Sequence, residues 1–267
     1  MKVSKNKEAA NKIVIDDVIL TVPSHLKDRL PLFYSHMQRY RYLKDYVKNK
    51  TVLDIGCGEG YGSYYLAHYA KEVIGIDIDK KVIQKAQNLY SRNGLYFYQV
   101  NVYELIDKLP QLKSNVDIAV AMELIEHLKK PGEFLEIVKE ILKPEGCFFL
   151  STPNRIAREV ENIPWNPEHV KEYTEDELKE LLSKYFRKVK IIGLTGTAKA
   201  KDYERIRQGG KLPSKLKMMW RFMPSSLKTI IRKVITLNLP TDVTLEDYYF
   251  VEKIDREVAS LLAICVK

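Results

Sequence analysis

Residues 52–60 read VLDIGCGEG, an apolar run that passes directly into the spacing D-x-G-x-G-x-G. The apolar run predicts a buried strand, and the three glycines let the backbone turn sharply into a helix that begins at about Tyr61. A ligand can approach the start of that helix closely because glycine has no Cβ. The segment therefore predicts a βα unit with a ligand-binding turn.

A second strand follows this unit and ends in an acidic residue, in the sequence Ile76-Asp77-Ile78-Asp79. A carboxylate at the carboxyl edge of a parallel sheet can accept hydrogen bonds from both hydroxyls of a ribose. Asp77 and the glycine turn together predict a nucleoside-type cofactor. The alternative, that Asp77 caps the next helix, is weaker because Asp79 is better placed for that role. A dehydrogenase is the rival class, but its G-x-G-x-x-G spacing differs from the spacing here.

Short apolar runs alternate with helical apolar spacing from Lys50 to about Gly193, which is typical of βα units. Asp79, Pro131 and a T-x-x-E capping box at Thr174 mark the starts of helices. The pattern predicts a parallel sheet with helices on both faces. A helix is expected over 32–48, and strands over 51–55, 72–76, 95–100, 116–121, 147–151, 188–192, 248–251 and 258–266.

The composition is that of a globular chain with one basic segment. Its 267 residues are 45% hydrophobic and 30% charged, which suits one main domain with an elaboration. The formal net charge of +9 is concentrated in residues 199–237, which hold eleven basic and two acidic residues. Leu227, Ile230, Ile231 and Val234 predict a basic amphipathic helix there. This segment suits nucleic acid, an anionic membrane, or ordinary packing with a solvated charged side.

Cysteine usage and the N-terminal apolar run bear on the compartment of the protein. Cys57, Cys147 and Cys265 are widely spaced and odd in number, which argues against a disulfide framework and against a zinc site. The run from Ile13 to Val22 is interrupted by two aspartates and is too short to span a bilayer. Neither a signal peptide nor a transmembrane helix is therefore expected, and a cytoplasmic location is predicted.

The order of these segments resembles the class I S-adenosylmethionine-dependent methyltransferases. Residues 52–62 are similar to the first motif of that family, and Asp77 to its ribose-binding acidic residue. Residues 116–128, VDIAVAMELIEHL, resemble its fourth-strand motif, and residues 142–146, LKPEG, the turn before its fifth strand. The resemblance therefore rests on all four motifs in their order along the chain, and not on the glycine turn alone.

Three further stretches resemble the small-molecule branch of this family. They are residues 36–40 (HMQRY), 151–155 (STPNR) and 166–174 (NPEHVKEYT). The branch includes ubiquinone-biosynthesis methyltransferases and enzymes that methylate polysaccharide or glycolipid precursors. The resemblance therefore implies an enzyme that acts on a small molecule, a sugar or a lipid-linked acceptor.

The family's architecture implies an α/β fold, a Rossmann-like, doubly wound, mostly parallel sheet of seven strands with an antiparallel last strand. Residues 1–49 are expected to form an N-terminal segment and helix that contribute to the cofactor pocket. Residues 50–193 plus 241–267 form the methyltransferase core. Residues 194–240 form a basic helical insertion that serves as a lid, a docking surface or a dimer surface. Peripheral contact with an anionic membrane, at its inner face, is expected through 211–237.

The resemblance also implies the cofactor, S-adenosyl-L-methionine, and its product, S-adenosyl-L-homocysteine. The glycine turn is expected to line the methionine part, the end of the second strand the ribose and adenine, and the end of the third strand the adenine edge. The N-terminal helix is expected to reach the methionyl carboxylate. The cofactor-binding residues implied are Arg39, Tyr40, Asp54, Gly56, Cys57, Gly58, Tyr61, Asp77, Ile78, Asn101, Val102, Met122 and Glu123. Asn101 stands where the family often has aspartate, and its amide oxygen can still accept from the adenine amino group.

Two histidines are the catalytic candidates. His127 follows the fourth strand, where substrates meet the cofactor, and an imidazole can remove a hydroxyl proton near neutral pH. His169 lies in the loop before the capping-box helix and is expected to face the substrate. In the alternative interpretation, His127 only orders its loop. Neither Cys57 nor Cys147 resembles a nucleophile with a base beside it.

The function predicted is methyl transfer from S-adenosylmethionine to oxygen of a small-molecule, sugar or lipid-linked acceptor. Residues 121–124, AMEL, lack the Asn/Asp-Pro-Pro-aromatic motif of exocyclic-amine methylation. Two alternatives stay open: an RNA methyltransferase that uses the basic insertion, and a non-catalytic S-adenosylmethionine-binding module. The oligomeric state, and oxygen against nitrogen or carbon as the accepting atom, are left open.

Overall fold

A computed structural model of the chain describes residues 12–157, 166, 168–207, 223–224, 227 and 240–267. These residues form ten strands and seven α-helices. The strands are β1 Lys12–Ile15, β2 Val18–Thr21, β3 Thr51–Ile55, β4 Glu72–Asp77, β5 Leu95–Gln99, β6 Val116–Met122, β7 Leu142–Pro153, β8 Lys188–Gly196, β9 Tyr248–Val251 and β10 Ser260–Val266. The helices are α1 Leu30–Tyr42, α2 Tyr61–Leu66, α3 Lys80–Leu89, α4 Leu105–Lys108, α5 Pro131–Ile141, α6 Glu175–Ser183 and α7 Ala198–Arg207.

Within the described residues, a single mixed sheet of eight strands has the order β5-β4-β3-β6-β7-β10-β8-β9. Strands β3 to β7 pair in parallel, whereas β10 runs antiparallel to both β7 and β8. The predicted mostly parallel sheet with an antiparallel last strand is confirmed. The sheet has the eight strands that the apolar runs predict, one more than the seven that the family resemblance implies. The additional strand is β9, which pairs with residues 193–196 because β8 continues beyond Ile192 to Gly196.

Apolar side chains cover both faces of this sheet. On one face, α5 and α6 bury Phe134, Leu135 and Leu178, all 0% exposed. On the other face, α1 and α2 bury Met37 and Tyr65. The doubly wound arrangement brings the carboxyl ends of β3, β4, β5 and β6 to one edge, where ligands bind in open α/β sheets.

The predicted helix starts are confirmed. Asp79 caps α3, its carboxylate accepting from the backbone N–H of Lys81 at 2.7 Å. Pro131 is the first residue of α5. The hydroxyl of Thr174 accepts from the N–H of Glu177, whose carboxylate accepts from the N–H of Thr174 in return. The aromatic helix α1 ends at Tyr42, earlier than the expected position 48, because the following residues form turns.

The N-terminal apolar run forms a hairpin that the sequence pattern did not predict. Strands β1 and β2 are joined by Asp16 and Asp17, both at positive φ (47° and 66°), the conformation of a type I′ turn. The carboxylate of Asp16 accepts from the hydroxyl of Tyr65 on α2 at 2.8 Å, which fastens the hairpin to the core. None of the described helices has the length and apolarity to cross a membrane.

Only the beginning of the basic insertion is described. Helix α7 packs through Ala200 and Tyr203 against Leu194 of β8 and Tyr248 of β9. The predicted amphipathic helix over 227–235 and the expected membrane contact over 211–237 lie outside the described residues, apart from positions 223, 224 and 227.

Candidate active site

The glycine turn lies between β3 and α2 and is closed against β4. Gly56, Gly58 and Gly60 all have positive φ, at 74°, 55° and 82°. The N–H groups of Gly56 and Cys57 donate to the carbonyl oxygen of Ile76 at 2.8 and 3.0 Å. An added Cβ at Gly58 would meet no atom within 4 Å, so open space lies above the centre of the turn. The sequence pattern therefore correctly placed a turn that a ligand can approach.

Asp77 joins the glycine turn to the end of β4. Its Oδ2 accepts from the N–H of Gly58 at 3.0 Å, and its Oδ1 accepts from the N–H of Asp79 at 2.9 Å. Two bonds on opposite oxygens fix the orientation of the carboxylate and leave lone pairs on both oxygens for further donors. The next residue, Ile78, is 65% exposed, so it presents an apolar surface beside the half-buried carboxylate of Asp77.

The end of β5 contributes the neighbouring pair. Val102 is buried, and Asn101 is half-buried with its amide oxygen accepting from the N–H of Tyr103 at 3.1 Å. That oxygen retains a second lone pair, and the amide nitrogen remains a donor. The structure thus brings Asn101 and Val102 to the same sheet edge as Asp77.

Asp54 lies beneath the turn and not in the open space above it. Its carboxylate is fully buried and accepts from the hydroxyl of Ser63 at 2.6 Å and from that of Tyr40 at 3.4 Å to each oxygen. Asp54 and Tyr40 therefore position the turn from below. The thiol of Cys57 is also buried, which raises its pKa well above the ordinary value and makes it a poor nucleophile.

Tyr61 packs among the aromatic residues of α1. Its ring contacts those of Phe33 and Tyr40 at centroid distances of 5.2 and 6.2 Å. Its hydroxyl lies 3.1 Å from Nδ1 of His36. Burial, with the nearby Arg39, lowers the pKa of His36 to about 3, so this imidazole is neutral. Residues 36–40 resemble the small-molecule branch, but that resemblance assigned no role to His36 itself.

Burial makes Asp54 a source of pH dependence in stability. Desolvation raises the pKa of the Asp54 carboxyl from 3.8 to about 7, and the charge of Asp77 also raises it. The hydrogen bonds from Ser63 and Tyr40 lower the pKa but do not offset the burial. Between these pH values the folded chain holds a proton that the unfolded chain has lost. The free energy of unfolding therefore falls as the pH rises from about 4 to about 7, by roughly 4 kcal/mol at about 1.36 kcal/mol per pKa unit.

We expect Asp54→Asn to remove this slope, because the amide carries no charge to desolvate. Urea unfolding at a series of pH values between about 4 and 8 measures the effect. Asp117→Asn is the matched control, since backbone and Lys143 contacts outweigh burial and lower the pKa of Asp117. If the free energy of unfolding changed with pH in the same way in the wild type and in Asp54→Asn, Asp54 would not hold a proton in the folded chain.

An ion pair at the end of β6 joins a buried cation to a partly exposed carboxylate. Arg39 is 3% exposed, and its Nη2 lies 3.4 Å from Oε1 of Glu123. The same carboxylate oxygen accepts from the hydroxyls of Ser151 at 2.9 Å and Ser260 at 3.1 Å. Burial opposes ionisation of Glu123, but Arg39 and the two hydroxyls outweigh it and lower the pKa. Arg39 is therefore no solvated helix charge, and Glu123 follows Met122 at the end of β6, as expected.

The two catalytic candidates lie together. The rings of His127 and His169 are 4.8 Å apart between centroids and almost perpendicular, at 89°. Nδ1 of His127 donates to the carbonyl oxygen of Glu168 at 3.1 Å, and Nδ1 of His169 lies 2.5 Å from Oε1 of Glu172. Burial, and then the charge of His169, lowers the pKa of His127. His127 thus follows the end of β6 along the chain, and the loop before α6 brings the ring of His169 against it.

The sequence analysis missed three polar residues that complete this region. Ser151 and Ser260 hold Glu123, and Glu126 lies buried beside the histidines. Ser260 comes from β10, far along the chain, so no local spacing connects it with Glu123. Glu126 precedes His127 directly, and an acidic residue next to a candidate catalytic histidine was a signal that sequence analysis had available.

Comparisons with known proteins show which family the chain resembles. The family model for the methyltransferase domain matches residues 47–210. A probable S-adenosylmethionine-dependent methyltransferase of Mycolicibacterium smegmatis is 34% identical over 151 residues, 56% of each chain. A ubiquinone biosynthesis O-methyltransferase of Coxiella burnetii is 34% identical over 128 residues, 47% of this chain and 53% of that protein. The matched segment thus spans about half the length of these curated relatives.

Solved structures share the fold. A SAM-dependent methyltransferase from Archaeoglobus fulgidus superposes with a TM-score of 0.58 at 20% identity, covering 89% of this chain and 94% of that one. The family model covers more than half of the 267 residues. The chain therefore belongs to the class I S-adenosylmethionine-dependent methyltransferases, a family of enzymes whose cofactor is S-adenosyl-L-methionine.

Proposed function

We propose that the protein transfers the methyl group of S-adenosylmethionine to an oxygen atom of a small-molecule, sugar or lipid-linked acceptor. The observation that carries the proposal is a juxtaposition at one sheet edge. The glycine turn and Asp77 offer a nucleoside site, and the pair His127 and His169 lies at the end of the neighbouring strand β6. The glycine turn and Asp77 suit the cofactor, and the two histidines suit an acceptor that carries a hydroxyl group.

The residues at the cofactor side fit S-adenosylmethionine. The carboxylate of Asp77 is oriented by two backbone N–H groups and keeps lone pairs for ribose hydroxyls. The exposed Ile78 offers an apolar surface to adenine, and Asn101 offers an amide to its edge. When bound, the cofactor supplies an electrophilic methyl group on a sulfonium. In the N-terminal part, residues 1–49, the buried Arg39 supports the pocket through Glu123.

The chain's own task is then to align and deprotonate the acceptor. Nδ1 of His127 is held by a backbone carbonyl, so its Nε2 lone pair remains available to accept a hydroxyl proton. Holding the hydroxyl oxygen in line with the methyl group supplies the rest of the rate enhancement. A cysteine mechanism is disfavoured because Cys57 and Cys265 are buried with raised pKa values.

Two observations bear on the acceptor class. The Coxiella burnetii relative is named an O-methyltransferase of ubiquinone biosynthesis, which favours oxygen of a small molecule. In the described part of the basic segment, the cations of α7 each face a carboxylate, as in the pairs Lys201 with Glu257 and Arg205 with Asp202. Because these charges are compensated within the chain, this helix gives little support to RNA as the acceptor.

The test is transfer of tritium from S-adenosyl-[methyl-³H]methionine to three probes: catechol, a polyprenyl-linked sugar and total RNA. We expect an ether product from the catechol or the lipid-linked sugar and none from RNA. His127→Ala should lower kcat by roughly a hundredfold or more while the binding of S-adenosylmethionine changes less than about twofold. Methylated RNA would overturn the acceptor assignment. Cofactor binding without transfer to any probe would favour a binding module.

A further inference from the structure

Three side chains with metal-ligating atoms converge beside the cofactor edge. Glu126, His127 and His169 each place one ligand atom within 4.8 Å of those of the other two. They come from two segments, the turn after β6 and the loop before α6. The backbone N–H groups of Val170 and Lys171 donate to the carbonyl oxygen of Glu126 at 2.7 and 3.2 Å, which fastens the two segments together.

Both imidazoles are oriented as metal ligands are. Nδ1 of His127 donates to the carbonyl of Glu168, and Nδ1 of His169 meets the carboxylate of Glu172. Metal-bound histidines commonly donate their second ring N–H to a carbonyl or a carboxylate, which fixes the tautomer. The proton of each ring is therefore on Nδ1, and Nε2 of both His127 and His169 carries a lone pair that can bind a metal ion. The two rings are adjacent and perpendicular.

Glu126 supplies an acceptor that is not satisfied by the described residues. Its side chain is 1% exposed, and Oε2 accepts from the hydroxyl of Thr152 at 3.0 Å. Oε1 is buried and has no hydrogen-bond partner in the part of the chain that the structure describes. A buried oxygen without a partner destabilises the fold unless a ligand engages it. Glu123, three residues earlier, differs because Arg39 and two serine hydroxyls already engage it.

We propose that Glu126, His127 and His169 bind one divalent transition-metal ion, such as Mn²⁺ or Zn²⁺, that coordinates the acceptor hydroxyl. Two imidazole nitrogens and one carboxylate oxygen are a donor set that such ions prefer, and three protein ligands leave positions for water or substrate. An acceptor with two adjacent hydroxyls, a catechol or a sugar diol, suits these open positions best. The inference rests on the proposed methyl transfer and deepens it.

The reaction balances with this ion as a Lewis acid and without a redox step. A coordinated hydroxyl loses its proton to solvent near neutral pH, because the cation stabilises the oxyanion. The new C–O bond forms as the C–S bond of S-adenosylmethionine breaks, and its electron pair stays on sulfur to give S-adenosylhomocysteine. The Nε2 lone pair of His127 is then engaged by the cation and no longer accepts the proton. The ion therefore replaces the imidazole as the group that activates the hydroxyl, while the methyl transfer itself is unchanged.

The experiment is calorimetric titration of EDTA-treated full-length protein with MnCl₂ and with ZnCl₂, together with the visible absorption of a Co²⁺-loaded sample. We expect one ion per chain, with affinity reduced roughly tenfold or more in each of Glu126→Gln, His127→Ala and His169→Ala. His68→Ala is the matched control, since Nδ1 of His68 also contacts a backbone carbonyl, that of Tyr64. Its affinity should equal that of the wild type.

Thermal unfolding and S-adenosylmethionine titration of each variant show that the fold and cofactor site survive. Absence of stoichiometric binding, or binding unchanged in all three variants, would overturn the metal site. If EDTA leaves catechol methylation unaffected, the ion has no part in activating the acceptor. Failure of the proposed function is distinguishable, because it removes binding of S-adenosylmethionine or methyl transfer whether or not Mn²⁺ binds.

Discussion

Replacing Asp77 by alanine is expected to weaken the binding of S-adenosylmethionine and S-adenosylhomocysteine by about a hundredfold. The carboxylate is positioned for two ribose hydroxyls, and a hydrogen bond to a charged group contributes about 1.5–3 kcal/mol. The substitution also removes the acceptor for the N–H of Gly58, so the centre of the turn loses its anchor to β4. Calorimetric titration with both ligands measures the loss.

Asp79→Ala is the control for this substitution. It removes the same charge two residues away, but Asp79 caps α3 by accepting from the N–H of Lys81. We therefore expect a loss of about 1 kcal/mol in stability and less than about a twofold change in cofactor affinity. Equal affinities for Asp77→Ala and the wild type would show that the ribose does not lie at the end of β4.

Gly62→Ala is expected to destabilise the fold by about 3 kcal/mol and to reduce cofactor binding at the same time. A Cβ on residue 62 would lie 2.1 Å from Cζ of Tyr40 and 2.4 Å from two other atoms of that ring. Tyr40 is buried and its hydroxyl contacts Asp54, so the ring cannot move without disturbing the support of the glycine turn. Overpacking a buried site typically costs about 1–3 kcal/mol, and occasionally more.

Gly132→Ala is the matched control, because Gly132 is the second residue of α5 as Gly62 is the second residue of α2. There the added Cβ would approach only the hydroxyl of Tyr185, the far end of a half-buried side chain. Urea unfolding of both variants measures the loss of stability, and titration with S-adenosylmethionine measures the loss of cofactor affinity. A Gly62→Ala variant as stable as Gly132→Ala would contradict the close packing of α1 on α2.

Features encoded by neighbouring residues were predictable. The glycine turn, the carboxylate after β4 and the caps at Asp79 and Thr174 depend on backbone geometry over a few residues, and all were placed correctly. The pairing of Ile13–Val22 into a hairpin was not foreseen, although Asp16 and Asp17 suit its turn. The length of the run and its two aspartates exclude a membrane span, but its apolar pattern alone does not show that the run folds back on itself.

Features that join distant segments could not be inferred from spacing. The pair Arg39 and Glu123 links α1 to the end of β6, and the burial of Arg39 depends on the packing of the whole sheet edge. Likewise His127 and His169 were each proposed to face the substrate, but nothing in the sequence indicated that their rings touch. Their contact depends on the loop before α6 returning to the carbonyl of Glu126.

The position of β10 sets an order on assembly of the molecule. This strand follows all the others in sequence, yet it lies between β7 and β8 and pairs with both along its length. The parallel half of the sheet can form as its βα units are synthesised, whereas β8 and β9 have no edge to join until β10 arrives. Because Ser260 of β10 also donates to Glu123, we expect the catalytic pocket to be completed in the last, slowest step of folding.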